Sequence, residues 1–255
     1  MNITLPVSHF QTNPLEKFTD KAADYAKYRP SYPSTAFDCI LKGLNQPTVA
    51  DIGAGTGISS RALADNQLRV IAIEPNLAMR KAAQPHPLVE FHNGKSDETK
   101  LQSNSVDLVT CFDSFYWFHP PENSLREFNR ILKPAGRLAV IFNKGNKDEP
   151  FTKRYNQLTG FYDVTATKTV NDVEKSLWVT SYFTNVRSYI FPYQQVLEPS
   201  EQLLGLARSY SGFPKTGAVV EQLLVELQQL YSDWVDDQGL VYLVYHTHVY
   251  LLDVK

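Results

Sequence analysis

The chain has 255 residues and a formal net charge of −2, from 25 lysines and arginines and 27 aspartates and glutamates, so it lacks the basic excess typical of nucleic-acid binders. Cys39 and Cys111 stand far apart in apolar surroundings, which argues against a disulfide or a metal site and favours a reducing compartment. Without a run of about eighteen apolar residues or a secretory leader pattern, we expect a cytoplasmic protein that does not contact membranes.

The first 33 residues are predicted to form a lid segment. Residues 1–17 lack periodicity, whereas 18–28 have the pattern of a short helix that ends at Arg29-Pro30, because a residue before proline leaves the helical region. Ser34 is then expected to cap a second helix. The tyrosines around the two prolines either pack onto the domain or cover a ligand, and the sequence does not decide between the two.

A glycine-rich turn organises the rest of the chain. The apolar run 49–52 contains the acidic Asp51 and leads into Gly53, Gly55 and Gly57, after which a helix begins. Glycines at such a strand-to-helix turn let a ligand approach the backbone closely. A second apolar run ends at Glu74, about twenty residues further on, where an acidic side chain can accept hydrogen bonds from a ribose.

Residues 34–143 are predicted to form the cofactor-binding core. Further strands at 88–92, 105–112 and 137–142 alternate with helices that begin near Asn76 and Pro121. This alternation predicts an α/β fold with a doubly wound, mainly parallel, Rossmann-like sheet. Ligands bind such sheets at the carboxyl ends of the strands, where Glu74 and Asp113 lie.

Residues 144–255 break the alternation. Helices are predicted from Pro150 to about Asp163, from Pro199 and over 220–234, and strands over 186–193 and 241–251. We expect the two late strands to pair antiparallel at the sheet edge, giving seven strands in all. The helices between them would form a cap over the pocket within the same domain.

The cofactor pattern favours S-adenosylmethionine over a dinucleotide. The dinucleotide motif requires a small residue at its sixth position, where this chain has Ile58. Asp51 would repel a pyrophosphate, whereas it suits a cationic ligand or a network that holds an amino group. An NAD-dependent oxidoreductase of similar fold and a non-catalytic S-adenosylmethionine-binding protein are the alternatives.

The chain resembles class I S-adenosylmethionine-dependent methyltransferases of the small-molecule type, and within them the group that contains trans-aconitate methyltransferases. The resemblance rests on the segments FTDKAADYAKYRPSYP (18–33), VADIGAGTG (49–57), VIAIEPNLAM (70–79), GKSD (94–97), SVDLVTCFDSFYWFH (105–119) and EFNRILKPAGRLAV (127–140). It implies S-adenosylmethionine as the cofactor and a small molecule as the methyl acceptor.

The resemblance also implies residue roles. The backbone of Gly53, Ala54 and Gly55 would pass under the methionine tail, Asp51 would lie near its amino group, and Glu74 would hold the ribose hydroxyls. The remaining expected cofactor contacts are Asn76 and Leu77 beside the adenine, Ser96 and Asp97 at the adenine edge, and Tyr25, Arg29 and Asp113 at the methionine end.

Catalysis is expected to need little besides alignment of the acceptor with the methyl group and exclusion of water. An ionised carboxylate acceptor needs no base, and Arg29 or Arg208 would orient it by a bidentate contact. His119 is a candidate general base for a hydroxyl or amine acceptor. Tyr116, which stands where relatives frequently have a histidine, is a third catalytic candidate.

We expect no metal site and a monomer or weak dimer.

Overall fold

The computed structural model describes the backbone of residues 14–160 and 164–255, and the side chains of 16–160 and 172–255. It forms a seven-stranded sheet in the order β3-β2-β1-β4-β5-β7-β6. The strands are β1 Val49–Ile52, β2 Val70–Ile73, β3 Val89–His92, β4 Val106–Phe112, β5 Leu132–Gly145, β6 Phe183–Leu197 and β7 Val241–Val254.

The first five strands are parallel, and β7 runs antiparallel to both β5 and β6. This confirms the predicted Rossmann-like architecture with an antiparallel edge. Strand order reverses between β1 and β4, and ligands of open α/β sheets bind at such a point.

Ten α-helices accompany the strands in the described part of the chain. They are α1 Pro14–Lys17, α2 Ala22–Tyr28, α3 Ser34–Leu41, α4 Ile58–Ala64, α5 Leu77–Ala82, α6 Pro121–Ile131, α7 Pro150–Thr159, α8 Val164–Val179, α9 Ser200–Ser209 and α10 Ala218–Trp234. A short 3₁₀ helix spans Phe115–Trp117. In the described ranges, no helix is long and apolar enough to cross a membrane.

Local expectations differ from the structure in three places. Ser34 does not cap α3, because Pro33 occupies the N-cap position and no side chain bonds the helix terminus there. Helix α7 ends at Thr159, since Gly160 adopts the left-handed conformation that closes a helix, whereas the prediction extended it to about Asp163, outside the described residues. Helix α8 was not predicted at all.

The central sheet is covered on both faces. On one face α6 and α8 contribute Leu125, Phe128 and Leu177, which are buried against the alternate residues of β1, β4 and β5. On the other face α3 and α4 contribute Phe37 and Leu63. Burial on both faces explains why the inner strands are apolar runs without alternation.

Helices α7, α9 and α10 form a separate apolar cluster with Tyr28 of α2 and with residues of β6 and β7. Helix α2 packs closely on α9, since Gly205 faces the ring of Tyr28 and a Cβ at this glycine would overlap the ring. Lys21 Nζ donates to the carbonyl oxygens of Arg208 and Phe213, at 3.0 Å each. The described part of the N-terminal segment is therefore joined to the cap helices.

Candidate functional site

A cleft of about 320 Å³ opens at the carboxyl ends of the parallel strands. Many of the residues expected from the sequence line it, namely Tyr25, Gly53, Gly55, Glu74, Asn76, Ser96, Asp97, Asp113 and His119. The helix α5 residue Met79 and the aromatic side chains of Phe18, Trp117 and Phe118 complete much of the wall. The structure thus brings together residues from the turns after β1, β2, β3 and β4.

The glycine turn after β1 gives the cleft a floor without side chains. Gly53 and Gly55 have φ angles of +70° and +58°, which L-residues with a Cβ rarely adopt. A Cβ at Gly53 would lie 2.6 Å from the Cβ of Ser114, so this position has no room for a side chain. Ala54, between the two, is buried and donates its N–H to Ile73 O at 3.1 Å.

Glu74 is fixed at the end of β2 by backbone donors. Its Oε2 accepts from the Gly55 N–H at 2.9 Å and its Oε1 from the Asn76 N–H at 2.7 Å. Its side chain is almost fully buried, and burial raises its pKa, while these two hydrogen bonds act in the opposite direction. Each carboxylate oxygen retains acceptor capacity for a ligand hydroxyl.

Helix α5 begins beside Glu74. Asn76 is its N-cap, and its Oδ1 accepts from the N–H groups of Ala78 and Met79, at 2.8 and 3.2 Å. Leu77 is 55% exposed and is not among the cleft-lining residues. Ser96 and Asp97 lie across the cleft after β3, where Ser96 Oγ accepts from Ser124 Oγ at 2.8 Å.

Asp51 does not line the cleft. Its Oδ2 accepts from the hydroxyls of Ser59 and Ser60 at 2.7 and 2.6 Å, and its Oδ1 accepts from Thr110 Oγ1 at 2.8 Å. These contacts join β1 to α4 and β4 behind the glycine turn. Asp51 therefore positions the turn, and its side-chain oxygens already have partners.

Asp113 projects into the cleft at the end of β4. It adopts a φ of +45°, uncommon for a residue other than glycine, as is often found at functional sites. Its Oδ2 accepts from Tyr32 OH at 2.9 Å and its Oδ1 from the Asn143 N–H at 3.2 Å. Burial raises the pKa of Asp113 to about 6, against the effects of the Tyr32 hydrogen bond and the Arg29 charge.

Arg29 supplies a positive charge close to Asp113. Its guanidinium lies between two aromatic rings, 4.8 Å from the centroid of Tyr25 and 4.2 Å from that of Tyr210. One Nη donates to Ser209 O at 3.2 Å, whereas the Nε is shielded from solvent and has no hydrogen-bond partner among the described residues. The cation is therefore held in place with donor capacity left over.

The three catalytic candidates have different surroundings. His119 lines the cleft and is exposed at its mouth. Tyr116 is not a lining residue; its ring stacks on Phe142 with 5.9 Å between centroids. Arg208 lies outside the cleft, because it forms ion pairs with Asp24 of α2 and Glu201 of α9. This arginine joins the lid to the cap.

Sequence reasoning missed several residues of the site. Ser114 limits the space at Gly53, and Phe18 contacts Trp117 edge-on at 5.6 Å. In the described residues, no group of three or more His, Cys, Asp or Glu side chains is arranged to hold a metal ion.

Comparisons with known proteins agree with this architecture. Residues 50–140 match the model of a family described as a methyltransferase domain. An uncharacterised methyltransferase-like protein of Schizosaccharomyces pombe is 29% identical over 202 residues, which are 77% of this chain and 78% of the relative.

Two solved structures show the same fold. A proposed type II methyltransferase from Anaeromyxobacter dehalogenans superimposes with a TM-score of 0.65 at 19% identity, over 88% of this chain and 97% of that one. A Haemonchus contortus phosphoethanolamine N-methyltransferase, solved with S-adenosyl-L-methionine, gives a TM-score of 0.55 at 18% identity, over 98% of this chain and 60% of that one.

Proposed function

We propose that this chain, whose core is a methyltransferase domain, uses S-adenosylmethionine to methylate a small organic acceptor. The observation that carries the proposal is the distribution of charge in the cleft. Two carboxylates, Glu74 and Asp113, line the cleft, and the positive charge of Arg29 acts on Asp113. A ligand with ribose hydroxyls at one end and a zwitterionic amino-acid tail at the other complements this arrangement.

The residues present fit that cofactor. The glycine turn offers a surface that a Cβ would obstruct, Glu74 keeps free acceptor capacity, and the Arg29 guanidinium has donors beyond the one Nη that bonds to Ser209 O. Glu74 would accept from the ribose hydroxyls, Asp113 would hold the ammonium, and Arg29 would hold the carboxylate. Asn76, Leu77, Ser96 and Asp97 would surround the adenine.

The charges also argue against a dinucleotide. A pyrophosphate at the glycine turn would lie in a cleft that the Asp113 carboxylate lines. Ile58, the first residue of α4, occupies the position where the dinucleotide motif requires a small residue for close packing of the helix on the strand. The structure of the Haemonchus contortus enzyme with S-adenosyl-L-methionine supports the methyl donor further.

S-adenosylmethionine supplies a methyl group on a sulfonium, which is already an activated leaving group. The protein's contribution is then to hold the acceptor in line and to exclude water. Phe18, Trp117 and Phe118 would form the apolar wall, and the lid helix α2 would cover the methionine end through Tyr25.

We infer that the acceptor is a small carboxylate, as the resemblance to the trans-aconitate methyltransferase group suggests. An ionised carboxylate is a ready nucleophile at neutral pH. Arg208 is engaged in ion pairs outside the cleft, so we do not expect it to orient the acceptor carboxylate. Arg29 is assigned to the carboxylate of the cofactor. We further propose a cytoplasmic protein, since Cys39 and Cys111 are both free thiols, as is usual in a reducing compartment. We also propose that it is a monomer or weak dimer.

Calorimetric titration with S-adenosylhomocysteine and, separately, with NAD⁺ tests the cofactor assignment. We expect S-adenosylhomocysteine to bind and NAD⁺ not to bind, because Asp113 lines the cleft and Ile58 occupies the motif position that requires a small residue. A screen of small carboxylates with S-adenosylmethionine should then yield a product 14 mass units heavier, the increment of one methylation. Binding of NAD⁺ alone would indicate an oxidoreductase, and cofactor binding without any acceptor turnover would indicate a non-catalytic binding protein.

The pH dependence of turnover tests the acceptor class. At saturating cofactor and acceptor, we expect a flat rate between about pH 6.5 and 8, because carboxylates with pKa values near 4 stay ionised throughout. Base catalysis by an imidazole would instead make the rate fall as the pH drops through about 6.5. If the wild-type rate falls at low pH and this fall is absent in His119→Ala, the acceptor is a hydroxyl or an amine and not a carboxylate. Arg208→Ala is the control and should leave the shape of the profile unchanged.

A further inference from the structure

The loop after β3 presents a tight turn to the cleft. Its two ends exchange backbone hydrogen bonds, from Lys95 N–H to Glu98 O at 3.1 Å and from Glu98 N–H to Lys95 O at 3.2 Å. Ser96 and Asp97 form the tip of this turn, and both line the cleft. Because the turn is closed on itself, the position of its tip depends on what holds the turn to the rest of the domain.

The base of the turn is held by helix α6. Thr99, which follows the turn, is fully buried, and its N–H and Oγ1 both donate to Glu127 Oε1, at 2.9 and 2.6 Å. Arg130 fixes this carboxylate, since its Nε donates to Oε2 at 2.7 Å and one Nη donates to Oε1 at 2.8 Å. Burial raises the pKa of Glu127, but the hydrogen bonds from Arg130 and Thr99 outweigh that effect and lower it. An ionised carboxylate, which is a strong acceptor, therefore holds the base.

The same face of α6 holds the tip of the turn. Ser124 lies three residues before Glu127, so the two side chains share one side of the helix, and both are buried. Ser124 Oγ donates to Ser96 Oγ at 2.8 Å. The turn is also packed closely at its start, because a Cβ at Gly94 would lie 3.0 Å from Thr99 O. The tip therefore cannot move relative to α6 without the loss of one of these contacts.

We propose that Ser124 and Glu127 are positioning residues for the nucleobase of the cofactor, and that they set how strongly the protein prefers adenine to other bases. This inference rests on the proposed function, which assigns the adenine to the neighbourhood of Ser96 and Asp97. Ser124 acts through Ser96, and Glu127 acts through Thr99.

The physical argument is the directionality of hydrogen bonds. The edge of adenine offers a donor, the 6-amino group, and an acceptor, N1. The Asp97 carboxylate can accept from the first, and a backbone N–H of the tip can donate to the second. Hydrogen bonds weaken steeply away from their preferred distance and angle, whereas apolar burial of the base is not directional. A displaced tip should therefore reduce base selectivity and leave the apolar part of base binding in place.

Asn129 provides a matched control on the same helix. Its Nδ2 donates to Tyr182 O at 3.1 Å, on the way into β6, and neither residue lines the cleft. Its replacement removes one hydrogen bond of α6 and leaves the contacts of the helix with the turn unchanged. A general loosening of α6 would thus affect Asn129→Ala as well, whereas a displaced tip would not occur in it.

The test compares S-adenosylhomocysteine with S-inosylhomocysteine by calorimetry on the full chain. In the inosine analogue an oxygen replaces the 6-amino group and N1 carries a proton, so the donor and the acceptor of the base edge are exchanged. We expect the wild type to prefer S-adenosylhomocysteine about tenfold or more, because the exchange leaves polar groups of the tip unpaired. Ser124→Ala and Glu127→Gln should each reduce this preference about threefold or more, through weaker binding of S-adenosylhomocysteine. Asn129→Ala should keep the preference of the wild type.

A double-mutant cycle tests the contact at the tip directly. Ser96→Ala removes the other hydroxyl of the same hydrogen bond and keeps the backbone N–H. Ser96→Ala, Ser124→Ala and the double variant should therefore show the same reduced preference. Additive reductions in the double variant would show that Ser124 does not act through Ser96.

An unchanged preference in Ser124→Ala, or in a folded Glu127→Gln, would remove that residue from the proposal. An equal reduction in Asn129→Ala, or a wild type without any preference, would overturn the proposal as a whole. If Glu127→Gln does not fold by circular dichroism, Ser124→Ala decides alone, since it removes a single hydroxyl. A failure of S-adenosylhomocysteine to bind to the wild type would count against the proposed function, whereas normal binding with an unchanged preference would count against this inference alone.

Discussion

Replacing Asp113 by asparagine is expected to make the protein more stable than the wild type at pH 8, although Asp113 lines the proposed cofactor site. Burial raises the pKa of this carboxyl from 3.8 to about 6. The folded state therefore binds the proton more tightly than the unfolded chain does, and deprotonation costs folding free energy. Asparagine resembles the protonated acid and does not pay this cost.

The sign and the pH window follow from the raised pKa. The stability that Asp113 contributes is fully present below the unfolded pKa near 4 and is lost as the pH rises through about 6. A shift of about two pKa units corresponds to about 3 kcal/mol. The difference in unfolding free energy between Asp113→Asn and wild type should thus grow by about 3 kcal/mol from pH 4 to pH 7 and then stay constant.

Urea unfolding at several pH values measures this difference. Asp107, on β4, the strand that Asp113 follows, is the matched control with the opposite sign. Its interactions with Lys133 and with the Thr48 N–H outweigh the effect of its burial, so its pKa is lowered. Asp107→Asn should therefore lose stability relative to wild type as the pH rises towards the unfolded pKa near 4, and the difference should stay constant above about pH 5. A pH-independent difference for Asp113→Asn would show that this carboxyl is not held in a destabilising environment.

Sequence patterns predicted the fold because the signals of the inner strands are local. The apolar runs of β1, β2 and β4 are buried on both faces, and a glycine turn or an acidic tip follows the first two directly. Helix α8 escaped prediction because its sequence, with Thr165, Thr167 and Thr169, has low helix propensity. Its burial against α6 and the sheet, through Val173 and Leu177, favours the helix in spite of that propensity.

The candidate site was predictable only as far as the ends of the strands. Glu74 and Asp113 follow strands, so their positions derive from the sheet topology. The surroundings of Arg29 and Arg208 depend instead on contacts across about 180 residues, with Ser209 for Arg29 and with Asp24 for Arg208. Two arginines of similar sequence context thus have different environments, one stacked between tyrosines near the cleft and one in ion pairs outside it.

Replacing Glu74 by alanine is expected to weaken the binding of S-adenosylhomocysteine by about 1.5–3 kcal/mol, the range for hydrogen bonds to charged groups. This corresponds to a loss of affinity of about 10- to 150-fold. The carboxylate would accept from the ribose hydroxyls, and it also holds the Gly55 N–H and the Asn76 N–H in place. Alanine removes the hydrogen-bond acceptor of the ribose hydroxyls, and it also removes the acceptor that holds the glycine turn. Both losses weaken cofactor binding.

The comparison of two substitutions separates these effects. Glu74→Gln keeps the shape of the side chain but places an NH₂ group opposite one of the two backbone N–H donors. It should therefore also weaken cofactor binding. Its loss of folding stability should be smaller than that of Glu74→Ala. Glu90→Ala is the control, since Glu90 lies exposed on β3 and pairs with His92 outside the cleft. Calorimetry should give it the affinity of the wild type. Wild-type affinity in Glu74→Ala, with the fold intact by circular dichroism, would remove Glu74 from the ribose site, because a buried carboxylate that touches the ligand cannot be deleted without cost.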